Sequence, residues 1–183
     1  MPSMTEKSGK SLEPDAIQML EQDHKEVKAM FAAFKKLKEN DDSDDDKAEL
    51  VQRICTALTI HATVEEEIFY PAVRNGIDDE DLMDEADVEH QGAKDLIAQL
   101  EEASSGDDHY DAKVTVLGEL INHHVREEEG EMFPKAKKAI DTKAVGAALA
   151  SRKAELETEF GVAPSAKPAP VKKTNSSRRA TAR

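Results

Sequence analysis

The chain has 183 residues, a net charge of −14, no Trp and two Tyr, and 35% of its residues are charged. This composition favours long helices over a sheet, and the length suits one domain with a tail. Six of the 25 Lys and Arg lie after Gly161, where there is no acid, so residues 1–160 carry 19 basic against 39 acidic side chains. A body this acidic argues against the wrapping of nucleic acid.

The cysteine content and the hydropathy pattern argue against a disulfide-bonded, a thiolate-metal and a membrane-spanning protein. Cys55 is the single cysteine, which excludes an internal disulfide and a thiolate metal cluster. It lies among Ile54, Ala57 and Leu58, so we expect a packed core thiol. No apolar run approaches the length of a membrane span, and the first residues lack a signal-peptide core. The expected protein is therefore cytoplasmic.

Residues 1–12 are polar and are predicted to be disordered, and the first helix follows them. A Pro between two acids at residues 13–15 is typical of a helix start, and the helix is predicted to end near Lys38. Apolar residues at steps of three and four predict its buried face, which includes one histidine: Ile17, Leu20, His24, Val27, Phe31 and Phe34. By itself a histidine on such a face is more often a hydrogen-bonded core residue than a ligand.

The second helix is predicted over residues 47–70, with Pro71 bending or ending it. It carries the segment HATVEEEIFYP at residues 61–71, in which Glu65 follows His61 by four residues. Positions four apart lie on one helix face, so this imidazole and this carboxylate can address a single point. Apolar residues at helical spacing before His61 predict that the face points inward.

The third helix is predicted from residues 78–81 to the Ser-Ser-Gly at 104–106, with His90 on its apolar side. The fourth is predicted over residues 108–132 and repeats the second, because HVREEEGEMFP at residues 124–134 again places a Glu four residues and a Pro ten residues after a His. His123 is a rival, since Glu127 lies four residues after it. We choose His124 with Glu128, because only this register reproduces the Pro offset.

The four helices form two similar pairs, since His24 precedes His90 by 66 residues and His61 precedes His124 by 63. An internal duplication accounts for this, and the predicted fold is all-α: an up-down-up-down four-helix bundle over residues 13–138. Apolar residues at helical spacing within residues 139–160 form a narrower face than those of the first four helices, which predicts a C-terminal helix packed on the bundle. Residues 161–183, rich in Pro, Ala and base, are predicted to be a disordered solubilising tail, with contact to nucleic acid or an acidic partner as the second interpretation.

The bundle thus gathers four imidazoles and two carboxylates on inward faces. Leaving them in an apolar interior without a counter-charge costs several kcal/mol per ionised group, which a pair of cations relieves. By the internal symmetry, one metal takes His24 and His61, the other takes His90 and His124, and both glutamates bridge. This donor set suits iron, manganese or zinc, although a closed structural zinc site needs four ligands rather than six. The predicted metal ligands are His24, His61, Glu65, His90, His124 and Glu128.

Residues 14–138 resemble the hemerythrin-like (HHE) cation-binding domains, through DHKEV around His24, HATVEEEIFYP, VEH at His90 and HHVREEEGEMFP. The resemblance implies a non-haem centre of two iron ions, oxo- or hydroxo-bridged, held by those six residues. It also implies dioxygen, nitric oxide or peroxide as small ligands, or the sensing of iron or redox state, and a monomer is expected. Oxygen-carrying members have a second His on the third helix, but Ala86 and Lys94 stand four residues either side of His90. This departure favours sensing, or peroxide or nitric oxide chemistry, over oxygen storage.

Two other interpretations remain open at this level. Glu21 precedes His24 by three residues and Asp87 precedes His90 by three, which approaches the Glu-x-x-His motif of ferritin-like carboxylate di-iron oxidases. In that case His61 and His124 would not be ligands. An acidic helical adaptor for basic partners would explain the charge but not the six donors in register. The metal-binding interpretation favours a protein that binds a metal and a small ligand over an enzyme. The sequence shows no motif typical of a hydrolase.

Overall fold

The computed structural model describes residues 14–40 and 43–162, and every secondary-structure element within them is helical. The helices are α1 (Ala16–Glu39), α2 (Asp44–Val64), α3 (Tyr70–Gly76), α4 (Glu80–Glu101), α5 (Tyr110–Glu127), α6 (Phe133–Ala139) and α7 (Thr142–Glu159). Two five-residue π-helical segments join α2 to α3 (Glu65–Phe69, the first π segment) and α5 to α6 (Glu128–Met132, the second π segment). The predictions for residues 1–12 and for the tail beyond residue 162 concern parts of the chain outside those described.

Side-chain caps set where four of the helices begin. Asp15 accepts hydrogen bonds from the backbone N–H groups of Ile17 and Gln18 and so begins α1. Ser43, Asp79 and Asp141 act in the same way for α2, α4 and α7. An N-terminal carboxylate or hydroxyl satisfies donors that have no partner inside the helix. The predicted starts are therefore close to those observed.

Two helix ends were predicted wrongly. The second helix was expected to end near Tyr70 and the fourth at Met132, yet helical structure continues to Gly76 and Ala139. A proline ring normally clashes with the carbonyl four residues earlier. Here the wider turn before each proline absorbs the clash, since Tyr70 N–H bonds the Glu65 carbonyl and Phe133 N–H bonds the Glu128 carbonyl.

The core forms two apolar clusters with a layer of buried polar side chains between them. Along α1, Leu20 belongs to one cluster and Val27 to the other, with His24 between them. Along α2 the order is reversed, because Leu58 of the second cluster precedes His61 and Val64 of the first follows it. The histidines thus lie at one level of the molecule.

The last helix, α7, packs on the outside of α1, α2 and the first π segment. Its Gly146 lies directly against the start of α1, where a Cβ atom would come within 2.2 Å of the Pro14 carbonyl oxygen and 2.6 Å of the Ala16 nitrogen. Backbone approach this close needs a glycine. The contact sets the position of α7 along the bundle.

Candidate metal centre

Each of the four long helices contributes one buried histidine to the polar layer: His24 from α1, His61 from α2, His90 from α4 and His124 from α5. Two glutamates complete it. Glu65 begins the first π segment and Glu128 begins the second, and they are 0% and 1% exposed. The structure therefore brings all six predicted ligands together.

The Nε2 atoms of these rings converge in two pairs. His24 Nε2 lies 3.2 Å from His61 Nε2, and His90 Nε2 lies 3.1 Å from His124 Nε2. Glu65 Oε2 lies 3.2 Å from the Nε2 of His61 and 3.4 Å from that of His90, so this carboxylate reaches both pairs. Glu128 Oε2 spans them in the same way, 3.2 Å from His24 Nε2 and 3.5 Å from His124 Nε2.

The opposite nitrogen of each ring faces a carboxylate. The Nδ1 atoms of His24 and His90 lie 2.9 Å from Glu129 and Glu66, respectively. His124 Nδ1 lies 2.7 Å from Glu89, and His61 Nδ1 lies 3.5 Å from Asp23. A carboxylate at Nδ1 holds the proton there, so Nε2 is left with its lone pair directed at the centre.

These Nε2 and carboxylate atoms fit metal ions better than they fit one another. In neutral rings that carry the proton on Nδ1, the lone pairs of Nε2 atoms 3.1–3.2 Å apart repel. Both Glu65 oxygens and Glu128 Oε2 are buried without a hydrogen-bond donor. Two donors bound side by side at about 2.1 Å from a metal lie roughly 3 Å apart, as these atoms do. Two buried groups have ligand atoms within 4.8 Å of one another: His24, His61, Glu65 and Glu128, and Glu65, His90 and His124. A third such group, Glu85, His123 and Glu127, lies at the surface.

Tyr70 is a polar group of the centre that the sequence analysis did not select. Its hydroxyl lies 3.0 Å from His90 Nε2, 3.4 Å from His124 Nε2 and 3.0 Å from Glu128 Oε1, to which it donates. Its counterpart 63 residues later is Phe133, which stacks on His24 with ring centroids 5.7 Å apart. The sequence repeat could have identified Tyr70, because aligning Tyr70-Pro71 with Phe133-Pro134 shows a hydroxyl in one half that the other half lacks.

The electrostatics of the layer favour cation binding. Burial opposes protonation of His61, but Glu65 and Asp23 outweigh it and raise the pKa of His61 well above 6.5. Burial likewise opposes ionisation of Glu65, but His61 and His90 lower its pKa well below 4.5. Burial, together with the charges of Glu65 and Glu128, raises the pKa of the Tyr70 hydroxyl well above 10.0. Without a metal, the centre therefore favours the protonated form of His61.

A cavity of about 60 Å³ adjoins the histidines. It has room for a few molecules the size of water. Its lining includes all four histidines and several apolar side chains, among them Val27, Leu58, Ile97, Ile121 and Val125. The centre is therefore next to a small, mainly apolar space.

The structure places the rival residues elsewhere. His123 has a side chain 54% exposed and contacts Glu89 and Glu127 at the surface. Glu21 is exposed and pairs with Lys137, and Asp87 is exposed and pairs with Arg74. The carboxylates required by the ferritin-like interpretation are thus not part of the centre, whereas His61 and His124 are.

Cys55 is buried in the second apolar cluster, away from the histidine layer. Burial, reinforced by Glu101, raises the pKa of its thiol to about 11. A thiol that remains protonated at neutral pH is a poor nucleophile and a poor metal ligand.

Within the described residues, no helix is both long and apolar enough to cross a bilayer.

Comparison with known proteins agrees with this geometry. Residues 15–136 match the hemerythrin HHE cation-binding domain. A crystal structure of a hemerythrin HHE cation-binding-domain-containing protein from Mycobacterium kansasii superimposes with a TM-score of 0.65 at 20% identity, covering 79% of this chain and 88% of that one. This similarity shows a shared fold.

A curated relative, described as a DNA nickase from Nostoc sp., is 31% identical over 119 residues. The match covers 65% of this chain and 32% of the relative, so the chain spans about a third of that protein's length.

Proposed function

The chain belongs to the hemerythrin HHE cation-binding domain family, and from this premise we propose that it holds two iron ions between its four long helices. His24 and His61 would hold one ion, His90 and His124 the other, and Glu65 and Glu128 would reach both. The observation that supports this best is the set of buried carboxylate oxygens without donors, which face imidazole Nε2 atoms at distances suited to a shared cation. The reversed order of cluster residues along successive helices supports the up-down-up-down arrangement.

Iron, when bound, supplies one-electron redox chemistry and coordination positions for a small ligand. The residues of the chain orient the metal-binding imidazoles and control which molecules reach the centre. Carboxylates orient the rings of His24, His90 and His124 through Nδ1. Asp23 lies 3.5 Å from the Nδ1 of His61, and Phe133 stacks on His24. The apolar cavity beside the rings admits small uncharged molecules and limits the water that reaches the centre.

We propose dioxygen, nitric oxide or peroxide as the ligand, with sensing or turnover favoured over oxygen storage. The residue four positions after His90 is Lys94, which pairs with Glu66 at 2.6 Å rather than facing the centre. The Tyr70 hydroxyl lies near the second metal position instead and offers that ion an oxygen donor. As long as it is protonated and not bound to the metal, the phenol can instead donate a hydrogen bond to an incoming oxygen species.

We do not extend DNA nicking to this chain. The region shared with the Nostoc relative covers a third of that protein, and residues 1–160 here are strongly acidic. The field around such a body opposes the approach of a phosphate backbone.

The proposal is tested by iron content. The purified chain should hold about two irons, with the near-ultraviolet absorption of a bridged ferric pair. Glu65→Ala or Glu128→Ala should each lower occupancy of both positions, because each carboxylate reaches both histidine pairs. His123→Ala is the matched control and should leave iron content unchanged. Chain from iron-replete cells that holds no iron contradicts the proposal.

The ligand is tested separately. The chain is reduced without air and then exposed to dioxygen, nitric oxide or peroxide while its spectrum is followed. A reversible dioxygen adduct indicates carriage, repeated rapid loss of peroxide indicates an enzyme, and oxidation to one stable ferric form indicates a sensor.

A further inference from the structure

The helix α7 lies beyond the family-matched residues 15–136 and packs on α1, α2 and the first π segment, which carry His24, His61 and Glu65. Lys153 on α7 donates to Asp23 Oδ1, and the other oxygen of that carboxylate faces His61 Nδ1. Next to Lys153, Arg152 holds Glu67 of the first π segment through two hydrogen bonds, of 2.7 and 3.2 Å. α7 therefore reaches the centre both through α1 and through the π segment that begins with Glu65.

The duplicated half differs at both of these positions. Asp23 precedes His24 by one residue, as Glu89 precedes His90, but Glu89 is paired with the exposed side chain of His123 rather than with a lysine. The position equivalent to Glu67 is Gly130, which has no side chain to hold.

Lysines also pair with the carboxylates behind His24 and His90, since Lys28 lies 3.7 Å from Glu129 and Lys94 lies 2.6 Å from Glu66. The Nδ1 atoms of these two histidines nevertheless lie 2.9 Å from their carboxylates. The two halves of the centre therefore differ behind His61 and His124, where a lysine pairs with Asp23 and an exposed histidine pairs with Glu89.

The distances show the consequence for His61. Its Nδ1 lies 3.5 Å from Asp23, against 2.7 Å between His124 Nδ1 and Glu89, and it is buried without a hydrogen-bond partner. The carboxylate lies closer to the ammonium of Lys153 than to the imidazole of His61.

Resting on the iron centre proposed above, we infer that α7 makes the two metal positions inequivalent, because Lys153 draws the Asp23 carboxylate away from His61. A carboxylate at Nδ1 raises the basicity of a ligating imidazole. His61, with this carboxylate shared, is the weaker donor of its pair. The ion between His24 and His61 is therefore held less tightly than it would be in the bundle alone.

Removing the charge of Lys153 and removing the charge of Asp23 should have opposite effects on how firmly the ion beside His61 is held. Lys153→Met removes the competing charge with little change of volume, so Asp23 turns fully to His61 and iron is retained more firmly. Asp23→Asn removes the carboxylate charge, so His61 becomes a still weaker donor. Changes behind a metal-bound histidine commonly alter metal affinity by 10–100-fold.

The experiment loads the metal-free chain with Fe²⁺ without air and follows its loss to a ferrous chelator. We expect two phases of one iron each, the faster slowed about tenfold by Lys153→Met and accelerated about tenfold by Asp23→Asn. The other phase should not change in either variant. Lys153→Arg keeps the charge and should behave as the parent, and Lys137→Met, which removes a surface pair with Glu21, is the matched control.

A purely structural role for Lys153 would accelerate iron loss in both variants, and that result overturns the inference. So does a change of both phases by the same factor, or no change in a chain that holds two irons. A parent chain that takes up no Fe²⁺ overturns the proposed iron centre and the inference with it. Melting temperatures of the metal-free variants, measured in parallel, distinguish a variant that is less stably folded from one in which only the rate of iron loss has changed.

Discussion

Tyr70 and Phe133 occupy equivalent positions in the two halves of the chain and differ by one oxygen atom. Phe133 stacks on His24 at an interplanar angle of 6°, while Tyr70 tilts by 38° against His90 and brings its hydroxyl to the centre. Burial and two carboxylates keep that hydroxyl protonated in the metal-free chain. A cation beside it reverses this preference, because it stabilises the phenolate.

Tyr70→Phe is therefore predicted to remove a visible absorption band without emptying the centre. Ferric phenolates absorb in the visible, and the six remaining donors are unchanged. Optical spectra and iron content of the ferric protein provide the measurement. Tyr110→Phe is the matched control, since Tyr110 is the other tyrosine and is buried in the second apolar cluster. A visible band of equal strength in Tyr70→Phe would show that the phenol is not a ligand.

Among the elements, the two π segments and α7 position the centre. Each π segment begins with a glutamate of the centre, and the residue after its end is Tyr70 or Phe133. A wider turn rotates every later residue relative to a regular helix, so the glutamate and the following aromatic ring both face inward. The C-terminal helix then holds the first π segment through Arg152 and Glu67.

The close seat of α7 gives a stability prediction. Gly146→Ala would place a methyl group 2.2 Å from the Pro14 carbonyl oxygen, so α7 and the start of α1 must separate. We expect a loss of about 1–3 kcal/mol in the free energy of unfolding, as for other overpacked sites. Chemical denaturation of the metal-free chain measures it.

Gly130→Ala is the control for that change. A Cβ atom at Gly130 meets nothing within 4 Å, and alanine is favoured over glycine in helices by up to about 1 kcal/mol. This variant should be as stable as the parent or more so. Equal losses at the two glycines would mean that α7 is not seated where the structure places it.

At the scale of the whole molecule, the buried polar layer divides the core into two apolar clusters. Its stability in the metal-free chain depends on imidazoles and carboxylates that neutralise one another. The raised pKa of His61 contributes stability that is complete below 6.5 and is lost as the pH rises through its folded-state value. The lowered pKa of Glu65 contributes stability that is present above 4.5 and is lost as the pH falls through its folded-state value.

The metal-free chain should therefore melt at a higher temperature near pH 5.5 than near pH 8.5. Metal binding needs deprotonated imidazoles, so the stabilisation by added Fe²⁺ should grow over the same range. At a free-metal concentration a hundredfold above Kd, each site contributes about 2.7 kcal/mol. Anaerobic calorimetry with and without Fe²⁺ at the two pH values tests both statements. Equal melting temperatures with and without metal at pH 8.5 would contradict a buried metal centre.

Much of the centre could be predicted from the sequence, because its information is local. A His and a Glu four residues apart share a helix face whatever the rest of the fold does, and the apolar neighbours indicate that the face is buried. The repeat then added His24 and His90. The predicted starts of α1 and α4 agree with the observed caps for the same reason, since a cap involves only adjacent residues.

Only the tertiary structure decided what lies behind the imidazoles and beside them. The partners of His24 and His124 are 105 and 35 residues away in the chain, and Lys153 is 130 residues from Asp23. Such pairings depend on the rotation of each helix about its axis, and each π segment shifts that rotation in a way that regular helical periodicity does not predict. For the same reason the prolines did not end the helices and Tyr70 was not anticipated. Spacing along the chain determined which residues form the centre, while packing between distant helices determined how its two halves differ.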